Sequence, residues 1–232
     1  MLKEQRSFLD RRAAGRQLAD ELSKGDWLDP VVLALTRGGV LVGFEVATAL
    51  QAPLDILVVL KIGAPGYPEF GIGAVVDGKY PQLVVDEEAM LILGPSSEYL
   101  NAEKKRQLAE IARRRERYVG GRAAIPMEGR TAIIVDDGFA TGSTVKVALK
   151  ALRRCGADRV VLAVPVAPRR VVEEFREVAD EVICLSIPEP FRAVSLHYVD
   201  FELTTDEDVI RLLKTATAPP TAGSPKCFSQ ED

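Results

Sequence analysis

The chain has 232 residues, 47% of them hydrophobic, and a formal net charge of −4. This length suits one large domain with a sizeable core, and the acidic balance argues against general affinity for nucleic acid. The first residues lack the apolar core of a signal peptide, and no segment approaches the ~18 consecutive apolar residues of a membrane span. Three separated cysteines favour a reducing compartment. We therefore expect a cytoplasmic protein whose partners include neither membrane nor nucleic acid.

The spacing of apolar residues predicts strands and helices that alternate along the chain. Strands are predicted at residues 31–35, 55–60, 72–76, 83–85, 130–135, 159–164 and 181–185. Helices are predicted at residues 8–22, 39–50, 97–118, 145–155, 169–178 and 206–213. The turn signal Asp77-Gly78-Lys79 favours a hairpin between the third and fourth strands. The alternation favours an α/β fold with a doubly wound, mostly parallel sheet.

One domain is predicted to span residues 1–214. The following residues, 215–232, are rich in Thr, Ala, Pro and Ser and carry few apolar side chains. Such a segment cannot bury enough apolar surface to offset the entropy lost on ordering, so a disordered tail is predicted.

The most informative segment surrounds the fifth predicted strand. Four apolar residues, 132–135, precede the adjacent carboxylates of Asp136 and Asp137 and a loop of small and hydroxyl residues, 138–144. The amides of such a loop and the N-terminus of the next helix bind a phosphate dianion. The two carboxylates can accept hydrogen bonds from a vicinal diol. Together these groups indicate a site for a sugar phosphate.

Other phosphate loops fit this segment less well. It lacks the Gly-Lys-Ser/Thr ending of a nucleotide-binding P-loop and the Gly-x-Gly-x-x-Gly pattern of dinucleotide-binding folds. An ordinary strand–turn–helix with a glycine-rich turn is the plain alternative. Two adjacent Asp residues directly before a run of small residues favour the phosphate site over that alternative.

The segment resembles the phosphoribosyl diphosphate (PRPP) motif of type I phosphoribosyltransferases. The resemblance implies that Asp136 and Asp137 hold the ribose 2′- and 3′-hydroxyls and lie near Mg²⁺, directly or through water. The residues implied to wrap the 5′-phosphate are Gly138, Phe139, Ala140, Thr141, Gly142, Ser143 and Thr144. Members of the family that use 6-oxopurines have an Asp where Ala140 stands, so hypoxanthine and guanine are disfavoured as acceptors.

A second candidate site is Thr36-Arg37-Gly38-Gly39, directly after the first predicted strand. In an open α/β sheet, ligands bind beyond the carboxyl ends of the strands. The two glycines allow the backbone to approach an anion, and Arg37 can bond a phosphate through two nitrogens. A plain turn with an exposed Arg37 is the alternative. The family resemblance implies a diphosphate-binding loop here, and a cis peptide bond is predicted between Thr36 and Arg37.

A third candidate is the segment from Leu60 to Gly73, which Pro and Gly dominate and which is predicted to be a long irregular excursion. The resemblance implies a flexible loop that closes over the diphosphate, with Lys61 as its cation. Residues 62–72 are accordingly predicted to be mobile without ligand. A structured hairpin whose Lys61 is merely solvated is the alternative.

Across about residues 5–213 these segments, together with Ala163 to Pro168, resemble one group of stand-alone bacterial and archaeal phosphoribosyltransferase-domain proteins. The resemblance implies a doubly wound, mostly parallel sheet with a β-hairpin excursion and a small hood at about residues 186–205. One departure concerns Leu60, where that group usually has Arg. The chain therefore has one fewer countercharge for diphosphate in this segment.

The resemblance implies Mg²⁺-dependent transfer of a phosphoribosyl group from PRPP to a nitrogen acceptor, a nucleobase or a related compound, with release of diphosphate. The residues implied as catalytic are Asp136, Asp137, Arg37 and Lys61. Further substrate contacts are implied for Thr36, Gly38 and Gly39. Phe191, in the predicted hood, is expected either to stack on a flat acceptor or to plug the core. A homodimer is left open.

A basic cluster and a single histidine have simple structural interpretations, and one alternative function remains open. The basic cluster at 113–117 is expected to be a solvated helix face, since the chain is acidic overall. His197 is the sole histidine, which excludes a histidine-based triad. Surface packing is expected for it, and a general-acid role is the less favoured alternative. A regulator of the same fold that binds PRPP or a nucleotide without catalysis stays open, because the same contacts serve binding and turnover.

Overall fold

The computed structural model describes residues 7–93 and 95–217, except for the side chains of Glu87, Glu88, Ser143, Thr144 and Thr217. The strands are β1 (Val31–Leu35), β2 (Leu54–Leu57), β3 (Val59–Ala64), β4 (Tyr67–Val76), β5 (Gln82–Val85), β6 (Thr131–Val135), β7 (Arg159–Val166) and β8 (Glu181–Ser186). The helices are α1 (Arg11–Leu22), α2 (Gly38–Leu50), α3 (Glu87–Leu93), α4 (Ser97–Val119), α5 (Ser143–Arg154), α6 (Arg169–Arg176) and α7 (Asp206–Thr217). A short 3₁₀ helix spans Val194–His197.

A five-stranded parallel sheet forms the centre of the described chain, in the order β2-β1-β6-β7-β8. Every residue of β1 and β6 is buried. Successive side chains of a strand point to opposite faces, so an unbroken apolar run requires cover on both faces. Helices α1, α2, α4 and α7 cover one face, and α5 and α6 cover the other. The predicted α/β fold with a doubly wound, mostly parallel sheet is confirmed.

Local sequence signals explain where α1 begins and where α4 ends. The Asp10 side chain accepts a hydrogen bond from the Ala13 amide at 2.6 Å and thereby caps α1. Helix α1 therefore begins at Arg11 rather than at Phe8, where the apolar spacing alone starts it. Gly120 ends α4 with a φ of 61°, a left-handed conformation that glycine adopts without a steric cost.

The strand predicted at residues 55–60 is wrong as a single element. Strand β2 ends at Leu57 in the parallel sheet, and β3 begins at Val59 in a separate antiparallel sheet of order β3-β4-β5. One apolar run thus serves two sheets, which periodicity cannot reveal because both parts are buried. Helix α3 is a further element that the apolar spacing did not predict.

The irregular excursion predicted after Leu60 is also wrong, because the segment forms an ordered hairpin. Strands β3 and β4 pair up to Ala64 and Tyr67. Pro65 and Gly66, whose φ is 76°, make the turn between them, since Pro followed by Gly suits a tight turn. Whether this hairpin moves without ligand stays a prediction.

Contrary to expectation, the basic cluster at 113–117 is only in part a solvated face. Arg115 donates to Asp77 Oδ2 at 2.6 Å and lies 3.1 Å from Asp55 Oδ2, and all three residues are buried. Burial raises the pKa of Asp77, and the charge of Arg115 opposes that rise. A buried carboxylate needs a paired cation, so this cluster ties α4 to β2 and to the end of β4.

His197 is buried, whereas surface packing was expected for it. Its ring stacks on the Phe191 ring with centroids 5.4 Å apart. The N-terminal segment covers this region, since the Phe8 amide donates to the His197 carbonyl oxygen at 3.0 Å. That long-range contact explains why the local sequence does not reveal the burial.

Helix α7 ends at Thr217, so ordered helix enters the segment predicted as a tail. The remainder of that predicted tail, residues 218–232, lies outside the described residues. Within the described ranges, no helix combines the length and the apolar character needed to cross a membrane.

Candidate active site

The adjacent carboxylates of Asp136 and Asp137 lie where β6 ends, at the carboxyl edge of the sheet. The Asp137 amide donates to Asp136 Oδ1 at 2.9 Å, and the Gly39 amide also donates to this carboxylate. Burial, and then the charge of Asp137, raise the pKa of Asp136 well above its ordinary value. Two half-buried carboxylates this close do not both ionise readily, so a neighbouring cation would stabilise the pair.

Arg11, at the start of α1, is such a cation. Its Nε donates to Asp137 Oδ2 at 2.7 Å, and its Nη1 donates to the Glu202 carbonyl oxygen at 2.7 Å. Its guanidinium carbon lies 3.6 Å from the centroid of the Phe201 ring. Burial raises the pKa of Asp137, and the hydrogen bond from Arg11 opposes that rise. The local sequence contains no signal for this role, because the two residues are 126 positions apart.

The loop of residues 36–39 lies directly against the acidic pair. A Cβ at Gly38 would lie 2.0 Å from Asp137 Oδ2, and one at Gly39 would lie 2.9 Å from Asp136 Oδ1. Glycine alone leaves room for so close an approach. The structure therefore brings the first two predicted sites together.

Arg37 follows the Thr36–Arg37 peptide bond, which is cis and confirms that prediction. Its Nη1 lies 3.5 Å from Asp206 Oδ1, and its side chain is 44% exposed. The Tyr118 hydroxyl donates to the same carboxylate at 2.6 Å, and Arg117 pairs with its other oxygen. Asp206 therefore holds Arg37 beside α4 and α7 while leaving it accessible to an anion.

The loop predicted to bind phosphate, called the phosphate loop below (residues 138–142), is shaped by close packing on β7 and α6. A Cβ at Gly138 would lie 2.8 Å from Val166 Cγ1, and one at Gly142 would lie 2.6 Å from Phe175 Cζ. Phe139 is buried edge-on against Phe175, with centroids 5.6 Å apart. These contacts anchor the loop just before α5 begins at Ser143. Ser143 and Thr144 were both predicted to bind substrate, but their side chains are not among those that the structure describes.

A cavity of about 290 Å³ opens at this edge of the sheet. The residues that line it are Leu35, Thr36, Leu57, Val59, Arg114, Asp136, Gly138, Phe139, Ala140, Thr141 and Val145. The cavity thus joins the ends of β1 and β6 to the start of α5. Its volume lies near the lower bound of roughly 300 Å³ for small-molecule sites. Arg114 belongs to the supposedly solvated basic cluster, so its place in the lining is a further correction.

Lys61 lies on the β3–β4 hairpin and is absent from the described lining of this cavity. Its Nζ donates to the Glu69 carbonyl oxygen at 3.0 Å and lies 3.6 Å from the Glu69 carboxylate. Both side chains are largely exposed. The structure therefore does not bring Lys61 to the acidic pair, and its catalytic role stays a prediction.

Phe191 lies in the predicted hood, and it too is absent from the described lining of the cavity. It is half-buried, with its ring on His197, and packs against an apolar cluster that includes Phe8, Val166 and Tyr198. Tyr198 donates from its hydroxyl to the Asp137 carbonyl oxygen at 2.5 Å, so the cluster adjoins the acidic pair. Contact between Phe191 and an acceptor stays a prediction.

Mg²⁺ was predicted to lie near the acidic pair. Among the described residues, no group of three or more His, Cys, Asp and Glu side chains could hold a metal ion. Carboxylate oxygens are the ligands that Mg²⁺ prefers, but two side chains fill only part of its octahedral shell. Asp136 and Asp137 fit Mg²⁺ only in combination with oxygens of a bound donor and with water.

A family model described as "Phosphoribosyl transferase domain" matches residues 4–200, which is most of the chain. The chain belongs to the phosphoribosyltransferase family. This confirms the resemblance that the PRPP motif and the two further segments indicated.

Two relatives show how far the similarity of this phosphoribosyltransferase domain extends. A Mycobacterium tuberculosis protein with the provisional name phosphoribosyl transferase is 46% identical over 209 residues, 90% of this chain and 47% of that protein. The chain thus spans about half the length of the curated relatives it matches. The crystal structure of TT1426 from Thermus thermophilus has a TM-score of 0.79 at 43% identity and covers 91% of this chain and 99% of that one.

Proposed function

We propose that the domain transfers a phosphoribosyl group from PRPP to a nitrogen acceptor and releases diphosphate. The observation that carries this proposal is the convergence of the acidic pair, the loop of residues 36–39 and the phosphate loop on one edge of the sheet. Family membership supports phosphoribosyl transfer in general. The convergence supports it further, because each part of the donor then has a suitable group nearby.

In this proposal the amides of the phosphate loop and the N-terminus of α5 hold the 5′-phosphate. Asp136 and Asp137 accept hydrogen bonds from the ribose 2′- and 3′-hydroxyls, and Arg37 donates to the diphosphate. These contacts fix the orientation of C1 relative to the acceptor. Catalysis then consists mainly of positioning and of stabilising the charge on the departing diphosphate.

The reaction exchanges one bond at C1 for another. The bond between C1 and the diphosphate oxygen breaks with its electron pair on oxygen, a nitrogen lone pair forms the new bond to C1, and the proton that this nitrogen carried leaves to water. The ribose passes through a state resembling an oxocarbenium ion, as in glycoside cleavage. Bound Mg²⁺ would neutralise part of the diphosphate charge. Asp136 and Asp137 accept from the diol in their ionised form, which a nearby cation favours.

The acceptor is proposed to be a nucleobase or a related compound, covered by the hood at about residues 186–205. Ala140 lines the cavity where 6-oxopurine enzymes have an Asp, which argues against hypoxanthine and guanine. Phe191 would contact the acceptor with the part of its ring that His197 leaves uncovered. A cytoplasmic location and a homodimer stay predictions.

A regulator that binds PRPP without turnover is the second candidate, and the position of Lys61 favours it. Lys61 is bound to Glu69 on the hairpin and lies outside the described cavity lining. Without a cation that closes on the diphosphate, the site would bind the donor and leave its C1–O bond intact. Movement of the hairpin therefore distinguishes the two candidates.

The deciding experiment measures diphosphate release from PRPP across a panel of nucleobases with Mg²⁺, alongside PRPP binding by calorimetry. Release with any acceptor supports transfer, whereas binding without release across the panel supports the regulator. No binding to the unmodified protein overturns both candidates. The double variant Asp136→Asn/Asp137→Asn is the control, and it should bind PRPP more weakly because the diol loses two charged acceptors.

A further inference from the structure

The hairpin offers no second cation for diphosphate, and the packing of Leu60 shows why. Leu60 is buried in the apolar core that also contains Ile111 of α4. Lys61, the next residue of β3, lies on the opposite face and pairs with Glu69. A basic side chain at position 60 would enter that core, so this chain needs its countercharge from another element.

Helix α4 brings a different cation to the cavity. Arg114 is the one Lys or Arg side chain among the described lining residues, where it accompanies Thr36 and Asp136. Its side chain is 37% exposed, so it is accessible to a ligand. The cavity therefore has a positive charge that the position of the basic cluster in the sequence does not reveal.

Arg114 lies on the side of α4 that is linked through Arg117 and Asp206 to the loop of residues 36–39. Residues three positions apart lie on the same side of a helix, so Arg114 shares a face with Arg117. Arg117 pairs with Asp206, which also holds Arg37. Arg114 and Arg37 thus approach the same edge of the sheet, one from α4 and the other from the loop that precedes α2.

Arg114 is held at only one end of its guanidinium. Its Nε donates to Glu110 Oε1 at 2.7 Å, and its terminal nitrogens make no hydrogen bond to any described residue. Arg113 binds the same carboxylate through two nitrogens, at 2.7 and 2.8 Å, and is 62% exposed. Glu110 thus anchors both arginines, but only Arg114 lines the cavity and keeps its two terminal nitrogens, the fork that suits phosphate oxygens, without a hydrogen bond to a described residue.

We propose that Arg114 binds the diphosphate of the donor and supplies the countercharge that Leu60 cannot, an inference that rests on the proposed function. In this proposal, Arg114 of α4 supplies the positive charge that a basic residue at position 60 of the hairpin would otherwise supply. Because α4 is fixed by the buried Arg115 cluster, this cation is in place before any loop closes. It would bind the donor in the ground state as well as the departing diphosphate.

The test compares Arg114→Gln with Arg113→Gln, since each variant removes one partner of Glu110. Calorimetry with Mg²⁺ measures binding of PRPP, of diphosphate alone and of ribose 5-phosphate alone. Arg114→Gln should weaken PRPP and diphosphate about tenfold or more and leave ribose 5-phosphate within about twofold. Arg113→Gln should leave all three unchanged, and the melting temperatures of the two variants should agree.

Several results would overturn this inference while leaving the proposed function intact. One is unchanged diphosphate binding by Arg114→Gln when the unmodified protein binds PRPP. Another is an equal loss in both variants, which would assign the effect to Glu110 and helix stability. A matching loss for ribose 5-phosphate would place the contact at the 5′-phosphate. If the unmodified protein binds neither PRPP nor diphosphate, the inference and the proposed function fail together.

Discussion

Arg11 Nε donates to Asp137 Oδ2 at 2.7 Å, which ties the first helix to the carboxyl end of β6. The two side chains are only 9% and 15% exposed, so the ion pair is largely removed from water. Asp137 lies in turn against Gly38 in the loop of residues 36–39. One cation therefore governs both the charge and the position of the carboxylate on which the proposed donor site depends.

Replacing Arg11 with Gln should destabilise the fold and weaken PRPP binding. The variant leaves Asp137 buried without its cation, a loss that costs roughly 3 kcal/mol for a buried pair. Urea unfolding gives the free energy, and calorimetry gives the binding. Arg12→Gln is the matched control, because Arg12 binds Glu45 at 2.9 Å but is 39% exposed. Its cost should stay below about 1 kcal/mol. Equal destabilisation by the two variants would contradict the special place of Arg11.

Asp136→Asn should stabilise the protein at neutral pH. Burial raises the pKa of Asp136 in the folded chain, so the protonated carboxyl group stabilises the fold. This contribution is fully present at pH values below 3.8, the pKa of Asp136 in the unfolded chain. That contribution is lost as the pH rises through the folded pKa. Asn cannot ionise, so the variant should match the unmodified protein near about pH 3 and exceed it at about pH 8.

The size of this effect follows from the pKa shift, with about 1.4 kcal/mol for each unit. Urea unfolding across this pH range measures it. Asn can keep the acceptor for the Asp137 and Gly39 amides, so loss of those hydrogen bonds should not mask the trend. A stability difference that does not change with pH would show that Asp136 is not the group that titrates.

Gly38→Ala should impair the site more than the fold. The added Cβ would lie 2.0 Å from Asp137 Oδ2 and 3.1 Å from Arg11 Nε, so the carboxylate must move. We expect PRPP binding to weaken by about tenfold or more. Gly129→Ala is the contrast, since its Cβ meets nothing within 4 Å but its φ is 71°. That variant should lose about 1 kcal/mol of stability and keep its affinity.

Lys61→Ala tests whether the hairpin closes. If Lys61 leaves Glu69 and meets the diphosphate as the C1–O bond breaks, the variant should lower kcat more than PRPP affinity. Glu69→Gln is the companion variant, because it weakens an exposed pair and leaves Lys61 present. Steady-state kinetics beside direct binding separates the cases. Unchanged kinetics in Lys61→Ala would mean that the pairing with Glu69 persists during the reaction.

The sequence by itself determined the fold class and the two loops that meet at the sheet edge. The apolar runs of β1 and β6 are unbroken in the sequence, and each is followed by polar or charged residues that a hydrophobic core excludes. Parallel neighbours present these ends at the same edge, so the 36–39 loop and Asp136 had to be close. The cis bond before Arg37 followed instead from the family resemblance of this loop, and the structure contains it.

Only the tertiary structure revealed that two cations besides Arg37 lie at the candidate site. Arg11 and Arg114 lie on helices distant in sequence from the carboxylates and loops they approach, and their local surroundings resemble any charged helix face. Arg115, beside Arg114, instead forms ion pairs with the buried Asp55 and Asp77. Helical periodicity shows which residues share a face but not what that face meets, because the partner is set by packing between elements far apart in the chain.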